Sequence, residues 1–287
     1  MAVAFSLFAP QASSLAAPWI FLSSAVILGV PHGACDPWIP GWVLQRPTRP
    51  LFLLIFFVVY LGLSAVYLVL WRISPLPSTL FFLGLTAWHW GSADASLEIS
   101  PGLRWLGFAI ARGLLVMLAP FAFHPDEAWQ VVRLMAPGAP DCPPRSFFLA
   151  GLALSLALQL GSRSSRQSWF ETFLLLSLFY FAPPLLSVGI YFMAFHASRH
   201  LLRLTALRDH LVSDPIQLWV KSLARLLLLS APLTLATLLF LPWIPYWAHS
   251  QVQREWVGPY LILLAVLTLP HAILVGWIDR RAPFIKI

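Results

Sequence analysis

Apolar stretches bounded by proline, glycine or charge follow one another along almost the whole chain. Their approximate limits are 16–36, 51–71, 76–94, 103–123, 146–161, 168–182, 185–205, 220–241 and 259–278. Crossing a bilayer as a helix takes about 20 predominantly apolar residues, so the fifth and sixth stretches are short for the task. Charged residues make up 10% of the chain and mean hydropathy is +0.79, against roughly 25% charged in a soluble domain. The expected fold is all-α: one integral-membrane helical domain over residues 1–287, a transmembrane bundle of about nine spans with a range of eight to ten. No internal repeat or low-complexity tract interrupts it. The longest connector, 124–145, contains five prolines and reads as an exposed loop.

The net charge of +7 carries no sign of nucleic-acid binding, because the basic residues sit in short connectors. There they act as topology determinants and headgroup anchors. Arg46 and Arg49, Arg163 and Arg166, Arg203, Arg208, Lys221 and Arg225, and the tail Arg280, Arg281 and Lys286 fall on alternate connectors of a nine-span chain. The expected orientation is N-terminus out and C-terminus cytoplasmic, in a bacterial inner membrane. The connector 95–102, with Glu98 as its one charge, departs from that pattern. No basic residue precedes Arg46, so the first apolar stretch reads as a retained helix rather than a secretory signal. Cys35 and Cys142 form no CxxC pair and read as a packing residue and a loop thiol.

Five of the eight histidines fall inside or at the ends of these spans: His32, His89, His196, His200 and His271. Intramembrane ionisable residues are expensive and mark ligand sites or proton relays. In the nine-span order all five lie in the cytoplasmic half of spans running in one direction, which is what a shared site demands. His196 and His200 are spaced i, i+4 and project from one helix face, a two-nitrogen platform for a metal. His32 and His89 add nitrogens from other helices. Imidazole suits Fe, Cu, Zn and Ni, and a thiolate-free histidine site points to redox or oxygen chemistry. Asp36 and Asp94 follow His32 and His89 by four and five residues and are candidates to accept the second ring N–H of a ligand; the plainer alternative is a helix end at the water boundary. Arg199 either neutralises one of them or snorkels to the headgroups. Arg112 is either functional or paired with a buried acceptor. His124, His210 and His249 read as solvated connector residues. Trp38, Trp88, Trp90, Tyr191, Phe192 and Phe195 could line a groove for a long apolar guest, or face lipid. Gly33 and Gly91 allow close backbone approach, and Pro31 and Pro270 interrupt helical turns.

Four blocks carry a resemblance. Residues 29–36 (GVPHGACD), 89–94 (HWGSAD), 196–200 (HASRH) and 269–271 (LPH) are similar to the PHGALD, HFGxxD, HSxRH and late PH motifs, in that order, of the Brp/Blh family. That family comprises bacterial and archaeal integral-membrane β-carotene 15,15′-dioxygenases. The likeness runs from about residue 29 to 275, with Cys35, Trp90 and Ala197 departing from its leucine, phenylalanine and serine. It implies Fe(2+) held by His32, His89, His196 and His200, which would also be the catalytic residues. The residues themselves make Asp36, Asp94, Arg199 and His271 candidates to support those ligands from behind, the last with ligation or simple packing as alternatives. Trp90, Tyr191, Phe192 and Phe195 become substrate-channel candidates. The implied reaction is cleavage of lipid-dissolved β-carotene by O2 into two molecules of retinal, with a retinal-binding opsin as acceptor. Breaking a C=C bond into two aldehydes needs no general base, in keeping with the absence of a nucleophile triad.

Three rivals are weighed against that reading. A di-iron desaturase would need several HxxxH and HxxHH boxes, and one such pair is present. A haem carrier would need histidines ~13–14 residues apart on paired helices. A transporter, or a proton or metal relay, is the non-enzyme alternative, and an iron oxygenase acting on another carotenoid is the nearest enzymatic one.

Overall fold

The architecture was read from a computed structural model that describes residues 1–211, 214–244 and 256–281. His249 and Lys286 lie outside these. Every regular element among the described residues is helical. Short α1 (Ala2–Phe8) leads into α2 (Pro10–Ser24), which passes through a π-helical turn, Ala25–Gly29, into α3 (Val30–Gly33) and α4 (Ile39–Leu44). Then come α5 (Pro50–Ile73), α6 (Pro75–Glu98), α7 (Leu103–Phe123), α8 (Pro125–Met135), α9 (Arg145–Gly161) and α10 (Arg166–Phe181). Next, α11 (Pro184–Tyr191) runs through a second π-helical turn, Phe192–Ala197, into α12 (Ser198–Asp209). Last are α13 (Ile216–Phe240) and α14 (Val257–Arg281).

Five helical segments among the described residues are long and apolar enough to cross a bilayer: Pro10–Leu44, Pro50–Ile73, Leu103–Phe123, Ile216–Trp243 and Val257–Arg281. They make this a membrane protein and correct the expectation of about nine spans. The other four expected spans fall short for physical reasons. α9 and α10 have 17 and 16 residues, below the ~20 that crossing requires. α6 has 24 residues, but its second half is WHWGSADASLE, and His89, Ser92 and Asp94 of it are buried. The stretch Pro184–Asp209 is broken by its π-turn and carries His196, Arg199, His200, Arg203 and Arg208. α6 and the stretch Pro184–Asp209 turn buried polar side chains towards each other, whereas α9 and α10 leave Phe147, Leu154, Phe170 and Phe173 exposed. The alternation of nine crossings is not retained, and with it goes the ground for placing all five histidines in one leaflet.

α7 lies at the centre, packed against α6, α8, α9, α10 and α11, while α14 lies against α5, α6 and α8. α5 is an outer helix whose exposed Leu51, Leu54, Ile55, Val58 and Val59 form a face suited to lipid. Trp71 Nε1 donates to the Met135 carbonyl at 3.0 Å and ties α5 to the end of α8. The first half of the connector 124–145 is not a loop. α8 opens with Pro125 at its first turn, has Asp126 and Glu127 in that turn and Arg133 in the last, and buries Ala128, Trp129, Val132 and Met135. Proline at the helix start and charges matched to the helix dipole are start and stop signals. Glu98, the odd charge of the inner connectors, has a structural duty. It accepts from the Ser165 backbone N–H at 2.7 Å and from the Ser168 hydroxyl, while Ser165 Oγ caps the Ser168 N–H at 3.1 Å. A carboxylate at the start of α10 satisfies donors that the helix leaves unpaired.

The α6–α7 crossing sets the position of His89. A Cβ at Gly91 would collide with the Ala109 carbonyl, and one at Gly113 with the Ala87 carbonyl. Backbone-to-backbone contact of this kind is how membrane helices approach closely. Gly91→Ala must part the two helices beside His89, with an expected cost of about 1–3 kcal/mol. A thermal unfolding midpoint in detergent equal to wild type would contradict this.

Candidate metal centre

Four chain segments deliver five imidazoles to one place. His32 comes from α3, just after the first π-turn; His89 from α6; His196 from the second π-turn and His200 from α12; His271 from α14. The two π-turns pack on one another. Single π-turns concentrate at functional sites, and here each one precedes or contains a clustered histidine. All five rings are 2–6% exposed. Ring centres are 5.6 Å apart for His32–His196, 5.4 Å for His32–His200 and 4.9 Å for His32–His271. They are 4.8 Å apart for His89–His196, 4.9 Å for His89–His271, 6.5 Å for His196–His200 and 5.4 Å for His200–His271. For a metal–nitrogen bond of roughly 2.1 Å, imidazoles around one ion have centres about 4.5 Å apart at right angles and ~6.4 Å apart when opposite. The ring centres already have that spacing. The nitrogens do not converge: no three His, Cys, Asp or Glu donors among the described residues are placed to hold an ion as they stand.

The hydrogen bonding separates the rings by role. His32 Nδ1 lies 3.2 Å from the Leu28 carbonyl, which fixes that nitrogen as the N–H and leaves Nε2 as the lone-pair end. His89 Nε2, both nitrogens of His196, His200 Nε2 and His271 Nε2 are buried without a hydrogen-bond partner. Leaving one such group unpaired costs about 1–3 kcal/mol, and an orphan of this kind calls for an explanation such as an ion. Four neighbouring rings with five unpaired nitrogens, none matched by a thiol or carboxylate competitor, fit a transition metal of the kind imidazole prefers.

Asp36 and Asp94 do not bond to His32 and His89. Asp36 takes His271 Nδ1 at 3.0 and 2.9 Å on its two oxygens and the Tyr60 hydroxyl at 2.9 Å. Asp94 takes Arg199 at 3.1 Å, Arg112 Nε at 3.5 Å and the Tyr191 hydroxyl at 3.3 Å. Arg199 continues to Glu171 at 2.7 Å, and Arg112 reaches Glu171 at 3.6 Å and Thr172 at 3.4 Å. Two cations and two carboxylates thus alternate in a neutral network. Of the alternatives open to Arg112 and Arg199, pairing with buried acceptors is the one found. The network joins the helix of His89 to that of His196 and His200, because Arg199 sits between the latter two in sequence. It borders a cavity of about 430 Å³ whose polar wall includes Asp94, Glu98, Arg112, Ser168, Glu171 and Arg199.

Trp90, Tyr191, Phe192 and Phe195 form one aromatic group, of which Trp90 and Phe192 lie against His196. Trp90 lies 5.2 Å from Tyr191, 5.7 Å from Phe192 and 5.5 Å from His196 between ring centres. Phe192 stacks on His196 at 5.8 Å, and Phe195 stacks on Tyr191 at 5.8 Å. None of the four lines the polar cavity. Trp88 faces outward against Trp105. Cys35 is buried among Ile39, Leu201 and Leu204, and Cys142 lies 3.8 Å from the Pro125 carbonyl. His124 bonds to the Tyr180 carbonyl at 3.1 Å. At Gly33 the nearest neighbour of a Cβ would be His271 Nδ1 at 4.0 Å, an ordinary contact, so of the two glycines expected to allow close approach Gly91 is the one that does.

Comparison with known proteins is decisive for the family. Residues 23–279 match the family model described as Beta-carotene 15,15′-dioxygenase. The chain belongs to that family. It is 31% identical to the probable beta-carotene 15,15′-dioxygenase Blh of Halobacterium salinarum, over 90% of this chain and 83% of that one. It is 26% identical to the beta-carotene 15,15′-dioxygenase of uncultured marine bacterium 66A03, over 91% and 94%. No solved structure gives a significant match. The four blocks that carried the likeness to the Brp/Blh family are the segments that hold the clustered rings. Tyr60, Glu171 and Thr172 were not singled out from the sequence. An acid at 171 within an otherwise apolar stretch was the available signal.

Proposed function

We propose that the protein is an iron-dependent oxygenase that cleaves the central 15,15′ double bond of β-carotene with O2 and releases two molecules of retinal. The observation that carries this reading is the cluster of five buried imidazoles, four of them with unpaired nitrogens, set among membrane helices beside an aromatic stack. Family membership supplies the substrate class, and the relatives' names supply the bond that breaks. His32, His89, His196 and His200 would hold the iron. Bound there, iron supplies the one-electron chemistry that lets O2 react with a closed-shell alkene.

The remaining work belongs to the chain. Burial of all five rings keeps bulk water from the reacting centre. Trp90, Phe192 and Phe195 offer flat apolar faces against which a rod-shaped polyene can be held, next to His196. Positioning of this kind supplies a large part of a rate acceleration without any proton transfer. The arginine–carboxylate network fixes α6 relative to α12, so that imidazoles from separate helices keep their spacing. An in-membrane site also spares the substrate any passage through water.

Expression in cells that accumulate β-carotene tests the reading. Loss of colour with retinal formation is expected, and unchanged carotene with the protein correctly inserted would contradict it. Parallel cultures accumulating a different carotenoid separate the substrate assignment from the chemistry.

A further inference from the structure

We propose that His271 is itself a ligand of the metal, oriented and made more basic by Asp36 and Tyr60. This rests on the iron site of the proposed function and adds a fifth nitrogen to it. The three roles left open for His271 by its sequence differ in what its nitrogens touch. An outer-shell histidine bonds through one nitrogen to a ligand ring, and a merely packed one satisfies both nitrogens locally. His271 does neither. Its Nδ1 lies 3.0 and 2.9 Å from the two oxygens of Asp36, so this nitrogen carries the proton and donates it to the carboxylate. Its Nε2 is therefore the lone-pair end, and it is buried without a partner. The ring stands inside the cluster, with centres 4.9 Å from His32, 4.9 Å from His89 and 5.4 Å from His200. His32 likewise has three of the other rings around it.

The carboxylate–imidazole pair has the form found behind metal-bound histidines, where it fixes tautomer and ring orientation. Tyr60 extends it by donating to Asp36 Oδ2 at 2.9 Å. Its hydroxyl also lies 3.3 Å from the Leu267 carbonyl of α14, the helix that bears His271. Asp36 is 1% exposed, and among the described residues its side-chain hydrogen bonds come from His271 and Tyr60, so a cation on His271 Nε2 would be felt by the carboxylate through the ring.

The test uses purified full-length protein in detergent, loaded with Fe(II). Iron affinity is measured by chelator competition. The coordinated imidazoles are counted by pulsed electron paramagnetic resonance of the nitric oxide adduct in protein with isotopically labelled histidine. His271→Ala is expected to weaken iron at least tenfold and to remove one imidazole from the count, with added imidazole restoring it. Asp36→Asn, which preserves shape, is expected to weaken iron about 10–100-fold. Wild-type affinity and imidazole count in both variants, alongside iron loss in His200→Ala, would overturn the assignment and leave the four-histidine site standing. Failure of wild-type protein to take up iron would instead remove the proposed function. If His271→Ala does not insert, Asp36→Asn decides: affinity within about threefold of wild type counts against the proposal.

Discussion

Replacing His196 or His200 with alanine is expected to lower retinal formation by roughly 1,000-fold or more, several kcal/mol of lost transition-state stabilisation. The protein should still insert. Each of these side chains has a buried nitrogen with no hydrogen-bond partner, and His196 has two. Truncation therefore breaks no side-chain hydrogen bond of the fold. It removes unpaired polar atoms and leaves a cavity, effects that oppose one another. The difference from wild type should appear when metal is added. Saturation at 100 times the dissociation constant stabilises a folded protein by about 2.7 kcal/mol. Wild type should therefore gain thermal stability with Fe(II), and either variant should gain little. Equal iron-dependent stabilisation in wild type and in both variants would show that these rings do not hold the metal.

The second large effect is expected at Arg112. Its guanidinium is 1% exposed and lies 3.5 Å from Asp94 and 3.6 Å from Glu171. Arg112→Leu leaves two carboxylates to share Arg199 in a low-dielectric interior. Breaking a buried charge pair from one side costs about 3–5 kcal/mol, a fall of roughly 10 °C in the unfolding midpoint for a chain of this size. The consequence extends to the site. Asp94 lies five residues beyond His89, and Arg199 lies between His196 and His200. Loosening their connection should also weaken iron binding. Asp94→Asn keeps the shape and the Tyr191 contact, and should cost less. Thermal unfolding and iron affinity measured on both variants check this. An unfolding midpoint within about 2 °C of wild type for Arg112→Leu would mean that the network does not stabilise the fold.

The helical class and the histidine cluster were legible in the sequence because each leaves a local trace. Long apolar runs mark α5, α7, α13 and α14 directly, and a histidine inside an apolar run is rare enough to notice. The number of crossings was not legible. Hydropathy reports how apolar a run is, and it does not say whether a helix such as α6 faces lipid or lies within protein. Asp94 is tolerated there because Arg112 of α7, Arg199 of α12 and Tyr191 of α11 reach it, while Ser92 bonds back to the His89 carbonyl of its own helix and His89 stands among the other imidazoles. Motif spacing located His196 and His200 but gave no hint of the π-turn through Phe192–Ala197. The partners of Asp36 and Asp94 were beyond reach for another reason. Proximity in sequence suggested His32 and His89, whereas the bonds run to His271 and to Arg199, 235 and 105 residues away. Those pairings exist only once the helices are packed.

The most direct test of the central claim is metal analysis of the purified, membrane-extracted protein. About one non-haem iron per chain is expected, with no haem absorption bands, and it should be lost in His200→Ala. Fully inserted, β-carotene-cleaving protein that carries no iron and gains no activity from it would contradict the account.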